Sequence, residues 1–317
     1  MADRDDNTSE VFDNFVQYRR YYRDKLNAEN TQPYGSYGLN TQDVMIPAFI
    51  AAYSGRELNS ANDITEADLR PRPRTPLPNW RIDYSGLSRM EKLKDIFSSV
   101  NINHAYTSSF SIRNYSSSLG YEDIRSNSMP GNVNVPLDTN ESGRFVPVFV
   151  INQISFSESF SPLIGVNVRT KNDLSVRVDW NRSRQITLDP ASSTQINEVK
   201  SNDFVIGLGY STDNFTLPFR IRGEKRTLDN TITFRVDFSL RDTRTMQRSL
   251  DSDEEDGDNV VTAGNWNFRL MPNINYEVSR RLNAQLFFER TINEPRVSTS
   301  FRRTSTAFGV RLRFSLS

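Results

Sequence analysis

The sequence predicts an all-β fold: antiparallel transmembrane β-barrel strands, with a small helical segment at the N-terminus. Three observations lead to this prediction. Apolar and polar residues alternate strictly in many segments after residue 79, these segments are long, and short turns alternate with long loops between them. Strict alternation gives a strand one apolar and one polar face. Most segments reach the ~9–11 residues that a strand needs to cross a bilayer.

Residues 1–78 are predicted to be a separate helical and loop segment that lies outside the cell. Residues 11–26 carry an apolar stripe at the three- and four-residue spacing of a helix, and residues 44–53 form a second apolar run that also predicts a helix. Four prolines in residues 71–78 predict an extended linker, because proline cannot donate a backbone hydrogen bond. We expect the second run to be buried as a cap against the barrel or a partner. Its candidate cap residues are Ile46, Phe49, Ile50 and Tyr53.

Residues 79–317 are predicted to be transmembrane strands of the barrel. In residues 230–247, for example, Phe234, Val236 and Phe238 alternate with charged and hydroxyl side chains, which predicts that the apolar set faces lipid. The predicted strands cover residues 79–85, 100–115, 146–169, 174–188, 200–221, 230–247, 262–278, 282–292 and 304–316.

The connections between these strands predict the orientation in the membrane. Residues 170–173 and 279–281 are tight turns, whereas long polar loops occupy residues 116–145, 189–199, 248–261 and 293–303. Outer-membrane barrels have short periplasmic turns and long extracellular loops. The sequence therefore predicts the outer membrane of a Gram-negative bacterium, with the long loops outside and the C-terminus in the periplasm. A soluble β-sandwich is the alternative, but it has no reason to sort its loops in this way.

The charged residues indicate a polar inner face. The 39 basic residues balance 39 acidic ones, so no net field favours nucleic acid, and only six of the basic residues are lysine, which leaves 33 arginines. On the strands, arginines and carboxylates share the polar phase, where they either stiffen the wall by cross-strand ion pairs or line a polypeptide path. The candidate lumen-facing residues are Arg169, Arg177, Asp179, Arg235, Asp237, Arg241, Arg269, Glu289, Arg311 and Arg313.

No catalytic, cofactor or metal site is predicted, and we expect the protein not to be an enzyme. Cysteine is absent, so thiolate chemistry and cysteine-ligated metals are excluded. The single histidine, His104, lies on the apolar phase of its strand, which favours an interfacial or core position. Residues 251–258 hold six carboxylates, but their spacing does not match an EF-hand, so they predict a solvated loop tip at which loose binding of divalent ions stays open.

Seven segments, in order along nearly the whole chain, carry a resemblance to a known family. They are residues 44–55 (VMIPAFIAAYSG), 77–87 with Leu77-Pro-Asn-Trp-Arg81 and Tyr84-Ser-Gly-Leu87, 160–166 (FSPLIGV), 200–210 (KSNDFVIGLGY), 237–245 (DFSLRDTRT), 282–290 and 295–301 (PRVSTSF). Together they resemble the C-terminal part of the SprA (Sov) family, the outer-membrane translocons of the type IX secretion system in Bacteroidetes. The resemblance implies a laterally opening conduit for folded cargo proteins that works with a PorV-like shuttle barrel and a periplasmic plug.

The resemblance also implies that this chain supplies only part of a larger barrel, because members of the family are several times longer. Met1 is followed by acidic and polar residues rather than a secretion signal, so we expect the chain to be incomplete at its front. Two other functions stay open. A porin or receptor for small solutes requires these strands to close on themselves, and a surface adhesin binds its partner through residues 1–78 alone.

Overall fold

The structure is a computed structural model that describes residues 9–30, 34–73, 78–117, 139–147, 149–190, 195–221, 223–250, 259–297 and 300–315. The predicted acidic tip at residues 251–258 lies outside these ranges, as do most of the predicted loop 116–145 and part of the predicted linker 71–78.

The strands of the described residues are β1 Trp80–Tyr84, β2 Phe97–Ser117, β3 Phe149–Thr170, β4 Leu174–Asp189, β5 Gln195–Thr212, β6 Phe215–Ile221, β7 Glu224–Leu228, β8 Ile232–Ser249, β9 Asn259–Ser279, β10 Leu282–Pro295 and β11 Arg303–Phe314. Nine of them form one antiparallel sheet in the order β1-β2-β3-β4-β5-β8-β9-β10-β11, and a hairpin of β6 and β7 lies outside it. The prediction of a mostly antiparallel β structure is confirmed. Within the described residues, β1 and β11 do not pair with each other, so the sheet is open.

The prediction of one strand over residues 200–221 is wrong. The chain turns after Thr212, and Asn214 adopts a left-handed conformation with φ of 59°. β6 and β7 then pair with each other, so residues 213–231 are an extended connection rather than a simple turn. The predicted long loop 189–199 is also shorter, because β5 already begins at Gln195. Long and short connections are therefore sorted less cleanly between the two ends of the sheet than predicted.

The strand register gives the sheet two distinct faces. Val176 lies opposite Leu208, which lies opposite Val236, and similar rows of even-numbered residues run across the strands. Cross-strand partners project to the same side of a sheet. We call the side that bears the even-numbered residues the even face and the opposite side the odd face. Along the lower rows of the even face, near the turns 171–173 and 280–281, the side chains are mostly apolar.

The helical unit (residues 9–30 and 34–69) contains α1, Glu10–Glu29, and α2, Gln42–Tyr53, which confirms both predicted helices. A 3-10 turn follows at Glu66–Leu69, where the Asp68 carboxylate accepts hydrogen bonds from the Thr65 backbone and hydroxyl, at 2.8 and 2.7 Å. Within the described residues, no helix is long and apolar enough to span a bilayer.

The core of the molecule lies between the helical unit and one end of the even face. Every residue of α2 from Val44 to Tyr53 is buried, so the expected burial of this run is confirmed. A helix that is apolar on all sides needs contacts on all sides. α2 has them because α1 covers one side, where the rings of Phe15 and Phe49 are 5.9 Å apart, and the sheet covers the other, where Phe49 lies 5.7 Å from Phe156.

Candidate functional site

All ten candidate lumen-facing residues lie on the odd face. They come from six strands, β3, β4, β8, β9, β10 and β11, and the register keeps them on one side because each has an odd number. All ten are charged, and most of them are exposed. The odd face is thus a broad, wet surface of mixed charge, and whether it lines a lumen stays a prediction.

The ion pairs on this face are isolated. Arg241 Nη2 contacts Asp203 Oδ2 at 2.9 Å across β8 and β5, and Arg269 Nη2 contacts Glu289 Oε1 at 2.7 Å across β9 and β10. Arg177 instead pairs with Asp179 on its own strand. The structure therefore shows separate pairs rather than the continuous cross-strand ladders that would stiffen a wall.

Further pairs on this face are local or neutral. Arg169 binds Asp173 in the adjoining turn at 3.1 Å. Arg311 donates to Gln285 at 3.3 Å and lies over the ring of Phe287. In the described part of the chain, Arg235, Asp237 and Arg313 form no ion pair.

Two glycines open a groove of about 400 Å³ in the odd face. Gly207 lies in the row between Arg177 and Asp237, and Gly209 lies in the row between Ser175 and Arg235. Without side chains at these two positions, the flanking arginines and the carboxylate stand around a concave floor. The groove can accept polar or charged segments of another molecule.

The candidate cap residues occupy the opposite side of the sheet. Ile46, Phe49, Ile50 and Tyr53 are all buried, and the strand residues that they approach, such as Phe156 and Arg184, are even-numbered. The helical unit therefore packs on the same face as the predicted lipid-facing residues. A cap that folds over the charged face is not the observed arrangement.

A buried ionic cluster fixes the helical unit to the sheet. Glu198 is 1% exposed. Its carboxylate oxygens lie 2.6 Å from Arg184 Nε, 3.3 Å from Arg248 Nη2 and 3.4 Å from Lys200 Nζ. The Tyr53 ring lies 5.8 Å from the Arg184 guanidinium, and the Phe12 ring lies 5.1 Å from that of Arg248. One carboxylate thus joins three cations, two of which also contact aromatic rings of α1 and α2.

Burial perturbs titratable groups in the helical unit. It raises the pKa of Tyr53, with a further contribution from the nearby Glu198 charge. It also raises the pKa of Asp43, at the start of α2, to about 6. For Arg19, burial and the neighbouring Arg20 lower the pKa to about 10, while its Nε donates to the Leu39 carbonyl at 3.1 Å. Burial in the packed helical unit is thus the largest cause of all three shifts.

His104 is part of an aromatic cluster on the even face. Its Nδ1 lies 2.6 Å from the Leu163 carbonyl oxygen, and its ring is 6.3 Å from Trp80 and 5.8 Å from Phe160. His104 is half-buried in this cluster, and its location at a membrane interface stays a prediction. In the described ranges, no group of three or more histidine, cysteine, aspartate or glutamate side chains could hold a metal ion.

Sequence reasoning missed the charged residues of the even face. The apolar phase of three strands is interrupted by Glu198, Arg184 and Arg248 near the end of the sheet on which the helical unit packs. The register brings these three residues together. The sequence did contain a signal for them, because each charged residue stands at a position where the alternation calls for an apolar one. A charge on the apolar side of a strand needs a partner when the strands pair. Asp203, the partner of Arg241, was missed although it lies on the odd, polar phase.

Comparison with protein-family models gives no match for this chain, and comparison with curated proteins gives none either.

We expect Glu198→Gln to weaken the attachment of the helical unit by about 3–5 kcal/mol, because it removes the carboxylate from a buried ion pair with Arg248. Hydrogen-exchange protection of the α2 amides measures this loss. Glu289→Gln is the matched control, since it removes an exposed partner worth less than about 1 kcal/mol. Equal protection in the two variants would contradict the role assigned to Glu198.

We expect the stability of α2 packing to fall as the pH rises from about 4 to about 6, because the folded state holds the Asp43 proton more tightly than the unfolded state in that window. Asp43→Asn removes this contribution. Exchange protection of α2, corrected for intrinsic rates, should therefore change less between these pH values in the variant than in the wild type. A wild type and variant with the same pH profile would show that Asp43 ionises normally.

Proposed function

We propose that this chain forms part of the wall of an outer-membrane β-barrel that exports folded proteins. The even face lies toward lipid, the odd face lines the lumen, and the rest of the translocon barrel completes the sheet at β1 and β11. The observation that carries the proposal is an apolar even face that, over its lower rows, has no covering layer among the described residues.

The lower even face has the chemistry of a lipid-facing surface. Phe308, Val310, Leu312 and Phe314 of β11 are 62–71% exposed, and Leu208 of β5 is 43% exposed. Soluble proteins rarely expose contiguous apolar patches larger than a few hundred Å². A soluble antiparallel sheet buries its apolar face against a second layer. A bilayer supplies the missing layer here.

The height of the apolar band fits a membrane. The lowest row of cross-strand partners in the band contains Leu282 and the highest contains Ile292. These two residues are ten positions apart on β10. At about 3.4 Å per residue this is roughly 34 Å along the strand, or about 26 Å along the membrane normal at a strand tilt of about 40°. The apolar band of outer-membrane barrels is about 25 Å tall. Arg290 interrupts the band one row below its upper end, where a long side chain can reach the boundary.

The charged odd face favours export of polypeptide over passage of small solutes. A narrow barrel can fill part of its interior with side chains, whereas this open sheet of nine strands presents an exposed polar surface with a groove at Gly207 and Gly209. The resemblance to the SprA family supports the same function and suggests its partners: a PorV-like shuttle barrel, a periplasmic plug and secreted cargo proteins.

Intrinsic fluorescence tests the orientation, because all three tryptophans, Trp80, Trp180 and Trp266, lie on the even face. We expect strong quenching by lipids with brominated acyl chains. A background with three Trp→Phe substitutions provides a matched pair: Phe238→Trp on the even face and Ser239→Trp on the odd face. Only the first should be quenched by brominated lipid and only the second by a water-soluble quencher. The reverse pattern would refute the proposed orientation.

Deletion of residues 282–317 from the full-length protein tests the function. We expect loss of export of type IX cargo, because removing β10 and β11 opens the wall, and unchanged uptake of small solutes through other porins. The matched control is deletion of residues 215–228, a hairpin outside the nine-stranded sheet, which should preserve export. Outer-membrane levels of both variants are measured alongside. Continued export together with a defect in solute uptake would favour a porin-like function.

A further inference from the structure

The hairpin of β6 and β7 folds back beside the even face. β5 ends at Thr212, and the chain turns at Asn214, where φ is 59°. The ring of the next residue, Phe215, lies 5.1 Å from the ring of Phe234. Phe234 is the cross-strand partner of Tyr210, which lies two residues before the end of β5. The start of β6 therefore lies against the lower rows of the even face instead of continuing away from the end of β5.

Hydrogen bonds hold the base of the hairpin in this position. Thr231 Oγ1 donates to Asp213 Oδ1 at 2.6 Å, which joins the two ends of the connection between β5 and β8. Asn230 Nδ2 donates to the backbone carbonyl oxygen of Val278 on β9 at 3.0 Å. The location of the hairpin beside the even face is therefore part of the fold.

The hairpin carries an excess of positive charge. Residues 215–228 contain four basic residues and one acidic residue. Arg220 and Lys225 are direct cross-strand partners, and like charges in this position destabilise a pair of strands. Arg220, Lys225 and Arg226 are exposed, and within the described residues none of them forms an ion pair. An anion close to Arg220 and Lys225 would therefore stabilise the hairpin.

The carboxylates near the hairpin do not compensate this charge. Glu224 lies in the turn, on the opposite side of the two-stranded ribbon from its neighbour Lys225. Asp229 follows the end of β7, three residues from Arg226, which is about 10 Å along an extended chain. Asp213, at the other end of the base, already accepts a hydrogen bond. Among the described residues, the cations of the hairpin are therefore left for an anion of another molecule.

The backbone of the hairpin determines its level in the membrane. Within the described residues β6 and β7 pair only with each other, so each strand leaves one edge of N–H and C=O groups unpaired. Such groups cannot lie in hydrocarbon. The hairpin leaves the sheet at the same end as the turns 171–173 and 280–281, which is the periplasmic side in the proposed orientation. It therefore lies at the level of the inner-leaflet headgroups.

We propose that the hairpin binds the headgroups of anionic phospholipids in the inner leaflet through Arg220, Lys225 and Arg226. The inference rests on the proposed function, because it requires the even face to lie toward lipid. Arginine donates paired N–H groups to phosphate, and lysine binds it as a point charge. Phe215 and Leu217, nearer the base, are half-buried and provide apolar contacts for the acyl chains.

A lipid fits the hairpin better than a free anion or an acidic protein does. A segment that combines cations with apolar side chains binds a membrane surface through both. The contact of Phe215 with Phe234 brings the hairpin to the edge of the apolar band, where headgroups and acyl chains meet. Inorganic phosphate would use the cations alone, and an acidic protein would have to displace the lipids that the band requires.

A photo-cross-linking amino acid at residue 217 of the full-length protein tests the site. The protein is reconstituted in vesicles that contain equal amounts of phosphatidylglycerol and phosphatidylcholine with the same acyl chains, and mass spectrometry quantifies the cross-linked lipids. We expect phosphatidylglycerol to be in excess, and Arg220→Gln/Lys225→Gln to lower this excess roughly 30-fold. Arg220→Lys/Lys225→Arg keeps both charges and should retain the excess.

The matched control is Arg113→Gln/Arg303→Gln, which removes two exposed arginines from the odd face and should leave the excess unchanged. Four results would overturn the proposal: equal cross-linking of the two lipids in the wild type, an unchanged excess in the Arg220→Gln/Lys225→Gln variant, loss of the excess when inorganic phosphate is added at the concentration of the anionic lipid, or cross-links to protein in place of lipid.

Quenching of Trp variants at residues 238 and 239 separates failure of this inference from failure of the proposed function. Normal quenching without an excess of phosphatidylglycerol refutes the hairpin site alone. Quenching of residue 239 rather than 238 by brominated lipid refutes the membrane orientation itself.

Discussion

The two-residue period of the strands is the constraint on which the rest of this structure depends. A shift by one residue in the pairing would exchange the two faces of the sheet beyond that point. The one-residue shifts occur near strand ends, between Phe97 and Ser99, between Thr245 and Met246, and beside Leu282. In the middle of the sheet, between Phe160 and Ile164, β3 instead gains two residues relative to β4, which preserves the period. The even face therefore stays continuous across all nine strands.

Continuity of the even face explains why the helical unit and the apolar band share it. α2 is apolar on all sides, so it can pack only on an apolar surface, and the upper rows around Ile154, Ile186 and Leu188 provide one. Packing there buries strand residues that would otherwise be exposed. It also encloses Glu198 and its cations, whose cost of desolvation is offset only because each charge has a partner.

Most elements of this fold could be predicted from the sequence, because alternation and helical stripes are local signals. The break after Thr212 was also visible, since the apolar phase changes from even at Leu208 and Tyr210 to odd at Phe215 and Leu217. The cluster around Glu198 could not be assembled in the same way. Its contacts depend on the register between strands, which the sequence of any one strand does not specify.

The ion pairs of the odd face bear on one of the two interpretations of its charges, the stiffening of the sheet. Stiffening of a wall by ion pairs requires pairs that are buried or connected, and exposed isolated pairs contribute only about 0–1 kcal/mol each. The pairs observed, such as Arg241–Asp203 and Arg269–Glu289, are exposed and separate. Rigidity of the sheet must then come from its backbone hydrogen bonds, which run without interruption along β5 and β8. The arginines therefore add little stiffness, and their main effect is to make the odd face a hydrated surface of mixed charge.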